Sequence, residues 1–150
     1  MAQDHRIYHN RDRCIGCHAC EIHCKTENDV PVGLKLCTIT KKGPEVVDGI
    51  PRVKFQFKSC FHCKSPACMK ACQSGAIVKR EEDGLVILDA SLCTGCKSCI
   101  EACHWHVPQW NAKTGKAMKC NMCLHRLDEG LHQACVTGCP TKAMSRHRPG

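Results

Sequence analysis

The chain has 150 residues, with 22 Lys and Arg against 14 Asp and Glu, 17 Cys, and only three Phe, two Trp and one Tyr. So few large apolar side chains build a thin core, which excludes a body held by burial alone and leaves disulfides or metal to offset the ordering entropy. The formal charge of +8 treats every cysteine as neutral; anionic clusters on those thiolates, at about −2 each, cancel it and argue against a nucleic-acid footprint.

In chain order, the segment from Met1 to Cys14 is polar, with no signal-peptide run and no twin-arginine pair. Nor does any stretch approach the roughly 20 apolar residues of a membrane helix. The expected address is cytoplasmic, where dense cysteine means metal rather than disulfide. The first block is Cys14-x2-Cys17-x2-Cys20-x3-Cys24. Val30 to Thr40, then Lys42-Gly43-Pro44, reads as a strand region on a loop, with Cys37 a small buried hydrophobe in the apolar run Leu34 to Ile39. Arg52 to Lys58 alternates, with Val53, Phe55 and Phe57 on one face of a half-buried strand.

The second block is Cys60-x2-Cys63-x4-Cys68-x3-Cys72, with a helix expected over Pro66 to Cys72. Ala76 to Lys79 and Leu85 to Asp89 flank Asp83-Gly84, a hairpin signal. The third block is Cys93-x2-Cys96-x2-Cys99-x3-Cys103, with a helix over Ser98 to His104, followed by Trp105 and Trp110, which should pack over a cluster or else line a docking face. The fourth is Cys120-x2-Cys123-x11-Cys135-x3-Cys139, then Pro140, with a helix over Met122 to Leu131. The basic tail from Lys142 to Arg148 reads equally as a solvated end or as a contact for an acidic partner.

Blocks one and three match the bacterial ferredoxin spacing, without its closing proline. Three cysteines two residues apart form a tight loop whose thiolates reach one iron–sulfur cube. The fourth, one helical turn later, points away and must serve a second cluster, so such blocks work in pairs. Zinc is the competing reading: Cys120/Cys123 with Cys135/Cys139 would pass alone as a four-cysteine site. Zinc has no use for the third cysteine of the two full runs. His18, His62, His104 and His125 lie beside cluster cysteines, but each block already has four thiolates, so they are read as supporting or surface residues. No phosphate-cradling glycine loop or nucleophile elbow occurs, and no residue is assigned a catalytic role.

Cys60-Phe-His-Cys-Lys-Ser-Pro-Ala-Cys, Cys93-Thr-Gly-Cys-Lys-Ser-Cys, Lys119-Cys-Asn-Met-Cys-Leu-His-Arg and Ala134-Cys-Val-Thr-Gly-Cys-Pro-Thr-Lys-Ala carry a resemblance. The chain resembles the four-cluster ferredoxin-like subunits of molybdenum and tungsten oxidoreductases, of the dimethyl sulfoxide reductase and formate dehydrogenase type. In size and general look it is most similar to the small iron–sulfur subunit of bacterial tungsten aldehyde oxidoreductases.

The resemblance implies an α+β fold of two nested bacterial-ferredoxin-like halves, related by a pseudo-twofold, with short helices and small antiparallel hairpins around four [4Fe–4S] clusters. The outer half would be about 10–27 plus 115–146 and the inner half about 55–110, with 28–54 inserted, in one domain over 1–150. It implies that Cys14, Cys17 and Cys20 share a cluster with Cys139, and Cys24 joins Cys120, Cys123 and Cys135. Cys60, Cys63 and Cys68 would take Cys103, and Cys72 would complete Cys93, Cys96 and Cys99.

It further implies electron relay between a molybdenum- or tungsten-pterin catalytic subunit and a flavin subunit (FAD, NAD-linked) or other redox partner, without membrane insertion and with head-to-tail self-association as an option. A free polyferredoxin shuttle is the alternative, and a zinc-bound interaction module the remote one. Clusters in a body about 40 Å across would stand on the order of 10 Å apart, suited to one-electron steps. Where the family carries proline after blocks two and three, this chain has Gln73 and His104. The restored N–H groups are expected to bond cluster sulfur and raise those potentials.

Overall fold

The structure, a computed structural model, describes residues 5–146. Residues 147–150, including the Arg148 end of the basic tail, lie outside that range. The secondary structure is all short pieces. The strands form four separate two-stranded antiparallel sheets: β1 (Tyr8–His9) with β8 (Met144–Ser145), β2 (Thr38–Val47) with β3 (Ile50–Lys58), β4 (Ile77–Lys79) with β5 (Val86–Leu88), and β6 (Gln109–Asn111) with β7 (Lys116–Met118). The helices are α1 (Ala19–Glu27), α2 (Ala67–Lys70), α3 (Ser98–Ala102), α4 (Leu124–Asp128) and α5 (Ala134–Thr137). None is long and apolar enough to cross a membrane, among the described residues.

Helices of four to nine residues are too short to persist alone. Here four of them carry the third cysteine of a block: Cys20 on α1, Cys68 on α2, Cys99 on α3 and Cys135 on α5. None of these four has a side-chain cap at its start. First-turn N–H groups also face the thiol sulfurs, as with Met69 N–H at Cys68 and Ala134 N–H at Cys123. The helices pack in two couples, α1 against α5 and α2 against α3. With β1 on β8, the first and last elements of the chain are thereby brought together.

No aromatic ring is among the fully buried apolar residues described, and cysteines stand in each of the three buried clusters. The hairpin at Asp83-Gly84 forms as the sequence indicates, and helices form within the three expected stretches. Three outcomes differ. The strand pattern at Arg52 to Lys58 lies in β3, but only Phe55 and Phe57 reach the core. Val53 is 39% exposed because the β2–β3 ribbon runs out past the body, with Val46 and Ile50 bare near its tip. Of the strand region expected over Val30 to Thr40 and Lys42-Gly43-Pro44, Val30 to Cys37 is irregular, while the rest lies in β2, accommodated by a register shift between Lys42 and Glu45. The β6–β7 hairpin is additional; its Asn111 Oδ1 accepts from Lys113 N–H and Gly115 N–H closes on Asn111 O.

Candidate metal centres

Each cysteine loop turns through the left-handed region at the residue before its second cysteine: Gly16, His62, Gly95 and Met122 all have φ between 44° and 77°. This wraps the loop around its own first sulfur. His62 N–H donates to Cys60 Sγ and Met122 N–H to Cys120 Sγ, both at 3.4 Å. At Gly16 a Cβ would sit 2.2 Å from the Phe55 ring, and at Gly95 2.5 Å from the Gly115 carbonyl.

All seventeen cysteines are free thiols. Three cavities each collect four of them. Site I, about 290 Å³, is lined by Cys14, Cys17, Cys20 and Cys139. Site III, about 570 Å³ with its open mouth, is lined by Cys60, Cys63, Cys68 and Cys103. Site IV, about 300 Å³, is lined by Cys72, Cys93, Cys96 and Cys99. The other four, Cys24, Cys120, Cys123 and Cys135, form site II and are all buried. Burial first, then the charges of Cys120, Cys123, Cys24 and Cys20, hold the Cys135 thiol well above the ordinary range. Among the described residues no group of three or more His, Cys, Asp or Glu converges on a point as a single ion requires. The thiols stand around space instead, and all-sulfur donor sets of four around such cavities fit a cubane cluster better than zinc.

The sites are also ordered. Cys20 of site I neighbours Cys135 of site II, Cys120 of site II neighbours Cys60 of site III, and Cys68 of site III neighbours Cys99 of site IV. Two helices make the outer links: α1 carries Cys20 and Cys24 one turn apart, and α2 carries Cys68 and ends two residues before Cys72.

Sulfur-directed donors surround the thiols. Asn28 Nδ2 lies 3.9 Å from Cys24 Sγ and 3.7 Å from Cys123 Sγ while donating to Cys24 O at 2.9 Å. The hydroxyls of Ser74 and Thr141 lie 3.5 Å from Cys72 Sγ and 3.7 Å from Cys139 Sγ. Burial raises the Cys72 thiol, yet Ser74 Oγ and the N–H groups of Ile77, Ala76 and Ser74 outweigh it and bring the thiol below its usual range. Gln73, expected to donate here, is not among these donors. Cys37 is buried as expected, but its role is not purely apolar: its Sγ lies 3.6 Å from Cys20 O and hydrogen-bonds the Cys24 sulfur. Nothing in the sequence signalled that contact.

His18 is half exposed and 3.2 Å from Glu21, and His125 pairs with Glu27 at 2.7 Å. His62 Nδ1 accepts from Val86 N–H, and burial followed by the charge of Lys119 pushes its pKa down to about 3. His104 lines site III. Trp105 packs against Phe61, tilted by 50° with ring centroids 4.8 Å apart, at the mouth of site III and is 48% exposed, so it only partly covers it. Trp110 lies under Lys97 Nζ and against the Gly95 loop of site IV.

Tight cysteine loops with left-handed turns, each followed by a short uncapped helix, define an iron–sulfur protein of ferredoxin type. Comparison with known proteins agrees. Residues 51–148 match the 4Fe-4S dicluster domain and residues 7–27 the 4Fe-4S binding domain. The chain is similar to the thiosulfate reductase electron transfer subunit PhsB of Salmonella typhi, 40% identical over 146 residues, 96% of this chain and 76% of the relative. It is similar also to the B subunit of polysulfide reductase from Wolinella succinogenes, 35% identical over 147 residues (97% of this chain, 76% of the relative). A third relative is the B subunit of the anaerobic dimethyl sulfoxide reductase of Escherichia coli, 34% identical over 151 residues (96% and 73%). The chain belongs to the 4Fe-4S dicluster family of reductase iron–sulfur electron-transfer subunits and carries multiple [4Fe–4S] clusters.

Proposed function

We propose that the chain is a four-cluster electron relay, with sites I to IV each ligating one [4Fe–4S] cluster in the order I–II–III–IV. The observation that carries this reading is the gathering of sixteen cysteines into four sets of four, neighbour to neighbour. Bound there, the clusters supply reversible one-electron carriers. The chain's own residues hold them close together, keep water from the middle, and leave Cys17 and Cys96 exposed at the two ends for exchange with partners. The coupling of α1 with α5 and of α2 with α3 supports two nested ferredoxin-like halves, with the β2–β3 ribbon as the insertion.

The partner on this reading is a molybdenum- or tungsten-pterin catalytic subunit. The names of the relatives favour a reductase of sulfur compounds. The tungsten aldehyde oxidoreductase reading, with a flavin subunit and a cytoplasmic address, rests on the sequence resemblance. Isolation from the native host tests all of it. Iron and acid-labile sulfide near about sixteen each per chain, bleached in the visible by dithionite, are expected. Copurified molybdenum without flavin selects the first partner, and tungsten with flavin selects the second. Zinc in place of iron, or a chain that purifies alone, would sink the relay-subunit reading.

A further inference from the structure

A buried cation lies where the two middle sites meet. Lys119 is 6% exposed, and its Nζ donates to the carbonyl oxygens of Cys120, at 2.8 Å, and Val86. It also lines the cavity ringed by Cys60, Cys63, Cys68 and Cys103. Among the described residues no carboxylate oxygen reaches it. The contrast with Glu21, the buried charge near site I, is direct: that carboxylate has Lys35 at 2.7 Å and the Ile39 N–H at 2.7 Å. A buried ammonium with only carbonyl partners is costly, so its counter-charge has to come from the two sites it touches.

We propose that Lys119 is a fixed counter-cation shared by sites II and III, which places the first electrons on the middle pair rather than on the ends. The proposal rests on the cluster assignment above. Reduction adds one negative charge to a site without making or breaking a bond; the electron arrives from the redox partner through an end site. Burial alone disfavours that extra charge, because little water remains to solvate it. A cation held inside the same low-dielectric region acts with little screening and offsets the penalty. Burial holds the Cys120 and Cys68 thiols above their ordinary range, and the charge of Lys119 opposes that rise at both, so its field reaches both sites. At the end sites Cys17 and Cys96 face water, and no buried Lys or Arg is described beside either.

The test is an anaerobic redox titration of the reconstituted full chain, followed by EPR and visible absorption, for wild type, Lys119→Gln, Lys119→Met and Lys119→Arg. Two of the midpoint potentials should fall in the Gln and Met variants while the other two stay, and Arg should hold all at wild-type values. No shift, an equal fall of all the potentials, or an Arg variant that behaves like Gln overturns the proposal. Should the neutral variants lose iron, the wild type decides. Partial reduction should first produce magnetically interacting neighbouring spins, and isolated spins appearing first overturn the idea. Iron content of the wild type is measured beforehand, so a failure of the four-cluster assignment is told apart from a failure of this inference.

Discussion

Sites I and IV, at the two ends, differ from site II in one respect above all. Each end site has one exposed cysteine, Cys17 or Cys96, whereas all four cysteines of site II are buried. The same loop-and-helix device therefore serves opposite purposes. At an end it presents a sulfur to the outside, where a partner can exchange electrons. In the middle its cysteines are also the hydrophobic core: Cys24 and Cys120 pack with Val30, Leu36 and Met122, and Cys135 packs with Ile39, Val136 and Met144. Ligation and folding are separable at the rim and inseparable inside.

The sharpest way to break this comparison is to remove one thiol of each kind. Cys135→Ala should cost most of the bound iron and the soluble yield, because it opens the shared core as well as site II. Cys17→Ala should cost only the iron of site I. Equal iron loss per chain from both would erase the distinction.

Next in size is Gly95→Ala. Its φ of +77° and a Cβ 2.5 Å from the rigid Gly115 carbonyl should cost roughly 1–3 kcal/mol and selectively empty site IV. Gly16→Ala meets a Phe55 ring instead, which can swing aside, so site I should be hurt less. Iron content with EPR of the reduced chain distinguishes the two.

Glu21 gives a pH test near site I. Burial raises its carboxyl, but Lys35, the Ile39 N–H and His18 outweigh burial and hold it below the ordinary 4.5. A lowered folded pKa means stability that is complete above 4.5 and lost as pH falls through the lower folded value. Glu21→Gln should cost about 1–3 kcal/mol at neutral pH, and the gap to wild type should close in acid. Thermal melts across pH, read by circular dichroism, check this; a gap that widens in acid contradicts it. The smallest effect is expected from Asn28→Leu. It removes the amide shared by Cys24 and Cys123, and should lower one midpoint potential with iron content unchanged in the titrated chain.

The sequence made the sites far more legible than the framework around them. Cysteine spacing marks the loops because a tight loop around a cube admits few lengths. Asp83-Gly84 marked its hairpin because that dipeptide suits the turn. By contrast β1 and β8 are two residues each and leave no periodicity to read. Helices α1 and α5 went unmarked as helical stretches because their residues are chosen for sulfur, not for an amphipathic stripe. Val53 looked like a core residue because alternation records a two-faced ribbon, not whether a body lies beneath it. Lys119 and the Cys37–Cys24 contact were invisible, since both depend on elements far apart in sequence meeting.

The coupling of α1 with α5 has a consequence for how the protein is made. By the time Cys103 has been synthesised, every thiol of sites III and IV exists. Sites I and II, although they begin at Cys14 and Cys24, cannot close until Cys139 and Cys135 have left the ribosome. The N-terminal cysteines must therefore wait, reduced and exposed, through most of translation. A chain truncated before α5 is expected to retain an inner pair of sites beside an N-terminal block with nothing to bind against.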